Sequence, residues 1–216
     1  SELPDIAMLA RELGDYPAAL ASLTPARRKE LGEEYLRRAR IQRHTDKPRF
    51  VDKMPNNWLH VALIRLILPK ATIIDARRHP LACGFSNFKQ HFARGQGFSY
   101  DLADMGRYYA DYVRLMAHLD RAAPGMVHRV VHEALVEDTE AEVRVLLAAC
   151  DLPFEPACLA FHETERAVRT ASSEQVRRPI NRDGADAWRR FADHLGPLEA
   201  ALGPVLAAYP AAPGGW

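Results

Sequence analysis

The sequence predicts an α/β fold: a small parallel sheet flanked by helices, with a helical segment at each end. Three observations carry that expectation. Short strand-like runs alternate with helical patterns along the 216 residues. One run, Ala71–Ala76, places Ile73 and Ile74 side by side, as in a strand buried on both faces of a parallel sheet. Helix start and stop signals separate the runs.

Pro4–Leu13 opens the chain as a helix, through the apolar spacing of Ile6, Leu9 and Leu13. Thr24-Pro25 supplies an N-cap residue and a proline at the first helical position. The helix it starts runs to about Arg43, is mostly charged, and is expected on the surface. Arg49–Asp52 is the first strand candidate. Asn57–Leu68 is an apolar-rich helix that stops at Pro69, and Ala71–Ala76 is the second strand. Pro80–Phe92 is a helix with Pro80 in its first turn, and Leu102–Ala122 is a long helix. Met126–Val131 is the third strand. Thr139-x-x-Glu142 reads as a capping box for a helix that ends near Cys150. Asp183–His194 and Leu198–Ala208 are the closing helices. These elements form one domain over residues 1–209, followed by a Pro- and Gly-rich flexible tail over 210–216.

Composition narrows the function classes. Hydrophobic residues make up 48% and charged residues 26%, the balance of a soluble globular protein. A formal net charge of +1 argues against a nucleic-acid partner recruited by bulk charge, while leaving a local basic pocket open. The most apolar stretch, around Leu59–Leu68, carries His60 and Arg65 and is too short to span a membrane. The opening SELPDIAMLA lacks the basic and apolar regions of a secretory signal. Cys83, Cys150 and Cys158 form no C-x-x-C pair, which fits reduced thiols in a cytoplasmic setting. His128 and His132 lie four apart on a strand-like segment with no third ligand nearby, so packing explains them better than a metal does.

Four places could carry chemistry. Arg78 follows a strand and precedes a helix, at the edge where open α/β sheets receive ligands, and its guanidinium can hold two phosphate oxygens at once. Ser86, about two turns into that helix, could donate one more hydrogen bond. The plainer reading of Arg77-Arg78-His79-Pro80 is a polar turn. Lys53, in Asp52-Lys53-Met54-Pro55, stands at the end of a strand candidate, where a lysine either snorkels to solvent or reaches a ligand. Glu2 lies in Ser1-Glu2-Leu3-Pro4. The stretch Ser172–Asn181 (SSEQVRRPIN) gathers hydroxyls, an amide and two arginines without a secondary-structure period, and reads as an ordered basic loop.

Two of these runs, FVDKMPNNWLHVALIRLILPKATIIDARRHPLACGFSNFKQHF over 50–92 and SSEQVRRPIN over 172–181, resemble sulfotransferases that use 3′-phosphoadenosine 5′-phosphosulfate (PAPS). The resemblance is closest to bacterial sulfotransferases linked to tetratricopeptide repeats and to tyrosylprotein sulfotransferases. It implies a small sheet of the P-loop nucleotide type and a set of roles. Arg78 and Ser86 would hold the 3′-phosphate. Lys53 would meet the sulfuryl group and stabilise charge on the leaving phosphate. Glu2, in a Glu-Leu-Pro unit shared with the repeat-linked enzymes, would be the general base. Ser172, Gln175, Arg178 and Asn181 would wrap the nucleotide. No metal is implied. The family's lysine before the next tryptophan is Ala187 here, and the tyrosine of its Tyr-Glu unit is His132, before Glu133.

The resemblance also implies a glycine- and hydroxyl-rich turn around the 5′-phosphosulfate, placed before Glu2. No segment of this sequence reads as that turn; Gly95-Gln96-Gly97 reads as a linker between helices. The expectation is therefore a sulfotransferase domain without its first strand and phosphosulfate loop, inactive by itself. Its acceptor would be a hydroxyl on a protein or peptide, a glycan or a small molecule, with no nucleic-acid or membrane partner. A non-catalytic module that binds nucleotide or a partner is the alternative. A kinase is disfavoured, because no Mg²⁺-binding set is visible.

Overall fold

The computed structural model describes residues 2–43, 45–92, 96–163, 177–182 and 184–216. The chain divides into two compact units, Ser1–Ile73 and Ile74–Trp216.

The first unit is helical. Helix α1, Asp5–Glu12, carries acid in its first turn and Arg11 in its last, matching the helix dipole at both ends. Helix α2, Pro25–Gln42, begins as its sequence requires: Thr24 Oγ1 accepts from the Arg27 N–H at 3.2 Å. A 3-10 turn over Pro55–His60 leads into α3, Val61–Ile67. Leu3, Ile6 and Leu9 pack with Leu31, Tyr35 and Leu63 in one core. Thus α2, expected on the surface, has a buried side at Leu31, Tyr35 and Ala39, spaced four apart. Its charged side holds Glu34 between Arg37 and Arg38, which lower the carboxyl to about 2. Gly32 lies so near α3 that a Cβ there would stand 2.1 Å from the Ile67 carbonyl oxygen.

The second unit holds two parallel strands, β1 (Ile73–Arg77) and β2 (Val127–Val131). Their connection contains α4, Pro80–Phe88, and α5, Leu102–Ala122. Helices α6 (His132–Glu137) and α7 (Thr139–Ala149) follow β2. A 3-10 segment over Ala187–His194 precedes α8, Gly196–Leu202, and α9, Pro204–Ala208. Leu81 of α4, Met105, Tyr109 and Val113 of α5, and Leu198 and Leu202 of α8 form the core. Gly106 makes the close α5–α8 approach: a Cβ there would fall 2.6 Å from Ala201 Cβ and 2.9 Å from the Leu198 carbonyl oxygen.

Several expectations change. Arg49–Asp52 is not a strand: it adopts no regular element, and Val51 is exposed. Asp52 instead makes two side-chain contacts that tie the unit together. β1 is not apolar on both faces. Ile74 is exposed, while Asp75 and Arg77 point inward. The α7 cap is Asp138, whose Oδ1 accepts from the Ala141 N–H at 3.1 Å; the Thr139 hydroxyl donates to the Leu135 carbonyl. The last predicted helix breaks at Gly203, whose φ of +52° interrupts the coil between α8 and α9. In the segment 210–216, the Pro210 carbonyl accepts from Arg77 at 3.1 Å, and Arg114 stacks 4.7 Å from the Trp216 ring.

Candidate active site

In the first unit, the two sequence-predicted catalytic residues come together. Asp52 Oδ1 accepts from the Leu3 N–H at 3.2 Å, and its Oδ2 accepts from the Tyr35 hydroxyl at 2.8 Å. One carboxylate therefore fastens the segment before α1 to α2. The neighbours of the fastened residues, Glu2 and Lys53, form an ion pair 51 positions apart in sequence. Burial, and then Asp52, push the Tyr35 hydroxyl far up, so it stays a donor across the physiological range. The side chains of Lys53 and Glu2 are 61% and 43% exposed, so the pair adds little stability and both groups stay open to a ligand.

In the second unit, Arg78 directly follows β1 and stands two residues before α4. Its backbone is clamped. The Arg78 carbonyl accepts from the Tyr109 hydroxyl at 2.6 Å, and the next peptide N–H, of His79, donates to Glu133 Oε1 at 3.1 Å. Glu133 Oε2 accepts from the Tyr209 hydroxyl. The His79 ring lies parallel to Trp188 at 5.3 Å and edge-on to Tyr209 at 5.2 Å. The Arg78 side chain donates to the Gly184 carbonyl, which brings it to the stretch after Asn181.

β1 and β2 are parallel neighbours, so Arg78, His79 and His132 all stand at the carboxyl edge of the sheet. Arg78 Nε and His79 Nδ1 are buried without a hydrogen-bond partner, and His132 Nδ1, also buried, lies 3.7 Å from Glu133 Oε1. Unpaired buried polar groups are costly unless something meets them. Burial lowers both histidines, and for His132 the Arg78 guanidinium lowers it further, while Glu133 acts in the opposite direction on each. For Glu133 burial acts upward, but it is outweighed by the hydrogen bonds from Tyr209 and the backbone, and the carboxyl sits below its ordinary value.

Ser86 is half-buried on α4, on the helix that Arg78 precedes. Arg178 and Asn181 are exposed, and Asn181 Nδ2 donates to the Pro179 carbonyl at 3.2 Å. Ser172 and Gln175 lie outside the described residues.

Sequence reasoning met Glu133 and Trp188 only as neighbours of His132 and Ala187 in the family resemblance and gave them no role; it missed Tyr109 and Tyr209, which are unremarkable in sequence. It also missed the buried network beneath. Asp75 Oδ2 accepts from Arg77 at 3.2 Å and from Arg129 at 2.9 Å, and its Oδ1 accepts from the Tyr112 hydroxyl. Arg129 bridges on to Asp120 at 2.9 Å. The available signal was the alternation Asp75-x-Arg77 inside an otherwise apolar strand. Among the described residues, no group of three or more His, Cys, Asp or Glu could hold a metal ion. No described helix is long and apolar enough to cross a membrane.

A cationic anchor at the carboxyl edge of parallel strands, followed at once by a helix, is how open α/β proteins receive phosphate groups. Comparison with known proteins gives the class a name. The sulfotransferase family model matches residues 4–156, and the chain belongs to that family. The match contains Lys53, Arg78 and Ser86, and leaves Glu2 and the 172–181 loop outside it. The chain is also 34% identical over 193 residues to an uncharacterized protein of Aquifex aeolicus (strain VF5), covering 88% of this chain and 25% of that protein. It thus spans about a quarter of that relative's length.

Proposed function

We propose that this chain supplies the 3′-phosphate site, the general base and the sulfuryl-assisting lysine of a PAPS-dependent sulfotransferase acting on a hydroxyl acceptor, and that transfer also needs the phosphosulfate turn that no segment of this sequence provides. The observation that carries this is the Arg78 guanidinium at the sheet's carboxyl edge, its buried Nε without a hydrogen-bond partner, beside the equally unpartnered buried His79 Nδ1. The pair suits an anion rich in acceptor oxygens, which the 3′-phosphate of PAPS is. Ser86 adds a hydroxyl, and Ser172, Gln175, Arg178 and Asn181 supply the nucleotide-covering loop.

The reaction displaces the sulfuryl group in line. The bond from sulfur to the 5′-phosphate oxygen breaks as the bond from sulfur to the acceptor oxygen forms. Glu2 takes the hydroxyl proton as the nucleophile attacks. The Lys53 ammonium stabilises the charge that grows on the departing phosphate, an interaction strongest in the transition state. The products are a sulfate ester and adenosine 3′,5′-bisphosphate. The ion pair between Glu2 and Lys53 supports this division of labour, since it brings the proposed base and the proposed cation side by side from positions 51 apart in sequence.

The test uses the full-length protein with radiolabelled PAPS and a panel of tyrosine peptides, glycans and phenols. Transfer to one of these acceptors, abolished by Arg78→Ala, is the expected result. Adenosine 3′,5′-bisphosphate should raise the Tm well above the shift produced by AMP. Equal shifts with both, or a larger one with ATP, would overturn the assignment. Binding without transfer to any acceptor would leave a nucleotide-binding module in place of an enzyme.

A further inference from the structure

We propose that Glu133 and Tyr109 are positioning residues that fix the Arg78–His79 peptide and so pre-set the arginine for the 3′-phosphate. This rests on the proposed role of Arg78 and goes beyond it. The peptide has one acceptor and one donor, and both are taken by side chains from other elements. The carbonyl of Arg78 accepts from Tyr109 of α5 at 2.6 Å. The N–H of His79 donates to Glu133 of α6 at 3.1 Å. The plane of that peptide is thereby held from both sides, and with it the direction in which the Arg78 side chain leaves the backbone.

Each clamp is itself held. Tyr109 is 6% exposed in the core against α8, and burial pushes its hydroxyl well above the usual tyrosine range. It therefore stays protonated and donates. Glu133 has its second oxygen occupied by the Tyr209 hydroxyl, which is likewise raised by burial and then by Glu133. A carboxylate so near a phosphate site would ordinarily repel the ligand. Here both oxygens are occupied by donors, so the group acts as a brace. The guanidinium gains one anchor, the Gly184 carbonyl, while Nε stays unpaired for the phosphate. An arginine ordered before binding loses less side-chain freedom on binding.

The experiment compares affinities of the full-length protein for adenosine 3′,5′-bisphosphate and for AMP, by calorimetry, in wild type and in three variants. Glu133→Ala should weaken the bisphosphate by about tenfold, roughly one well-placed hydrogen bond to a charged group, while AMP affinity stays within about twofold. Tyr109→Phe, which keeps the buried ring, should weaken the bisphosphate selectively in the same way. Glu133→Gln should restore most of the preference, because its carbonyl can still accept from His79 while its amide meets Tyr209. Equal losses for both ligands would show a structural role only and overturn the proposal. So would full retention of the preference in Glu133→Ala and Tyr109→Phe, or a Glu133→Gln loss as large as the alanine loss. A wild type without preference for the bisphosphate would instead remove the Arg78 assignment beneath it, so the two failures are distinguishable.

Discussion

At the scale of single residues, the second unit depends on one buried carboxylate. Asp75 meets Arg77, whose side chain is 1% exposed, and also Arg129 and Tyr112. Asp75→Ala leaves the Arg77 cation buried without its carboxylate. Breaking a buried pair from one side costs about 3–5 kcal/mol, so chemical denaturation should show a large loss of stability. Arg77→Ala should also destabilise, since it takes one donor from Asp75, which keeps Arg129 and Tyr112, and takes the Arg77 donor from the Pro210 carbonyl. A change below 1 kcal/mol in either variant would mean that water replaces the network freely.

Burial lowers His60, His79 and His132 below the ordinary histidine value of 6.5. Between their folded values and 6.5, the unfolded chain binds more protons than the native one. Stability therefore rises with pH through that window. It is fully present above about 6.5 and falls progressively as pH drops toward and below the folded values. Tm measured from pH 7.5 down to 5 should decline, and the decline should be shallower in His79→Gln and His132→Gln. A flat Tm profile, or one rising toward acid, would show that these rings are not protected from protonation.

At the scale of elements, the caps and close approaches are specific enough to test. Thr24 meets the Arg27 N–H in the first turn of α2, and Thr24→Ala should cost about 1 kcal/mol. Gly32→Ala should cost about 1–3 kcal/mol or more, despite alanine's better helix propensity, because the new methyl would meet the Ile67 carbonyl at 2.1 Å and backbone cannot yield as a side chain can. Urea titration of both variants measures this, and a stabilised Gly32→Ala would contradict the packing of α2 on α3. Several elements were legible from local chemistry. Leu102–Ala122 has the predicted bounds, and the Asp101 side chain accepts from the Asp104 N–H at its start. Thr24-Pro25 starts α2, and Pro80 opens α4. Others were not. The α7 start shifts by one residue because Asp138 and Thr139 are both competent caps, and their sequence cannot decide between them. Arg49–Asp52 looks like a strand by composition, yet Asp52 satisfies its hydrogen bonds with Leu3 and Tyr35.

At the scale of the whole molecule, the proposed catalysis places separable demands on the two halves of the chain. Lys53→Ala in the full-length protein should lower kcat by about a hundredfold or more while leaving the Kd of adenosine 3′,5′-bisphosphate nearly unchanged, because its charge partner is complete only in the transition state. Glu2→Gln should likewise reduce kcat, by a factor on the order of 10²–10⁴, as expected for loss of a general base. Steady-state kinetics with a tyrosine peptide, beside equilibrium binding of the desulfated product, measures both. A loss confined to nucleotide affinity would make Lys53 a binding residue.

The sequence alone determined what depends on neighbours a few residues apart. It placed the long α5 helix, the proline-marked helix starts, the strand-to-helix turn that carries Arg78, and the sulfotransferase resemblance now matched over residues 4–156. Tertiary structure decided everything that needs closure between distant positions. It set Lys53 against Glu2, 51 residues apart, and pinned the Arg78–His79 peptide between Tyr109, 31 residues from Arg78, and Glu133, 54 residues from His79. It turned Asp75 and Arg77 inward, where their partners could meet them. Capping and periodicity are short-range energies written in adjacent letters. A buried hydrogen bond is favourable only when a specific partner arrives from elsewhere in the fold, and nothing in the local sequence names that partner.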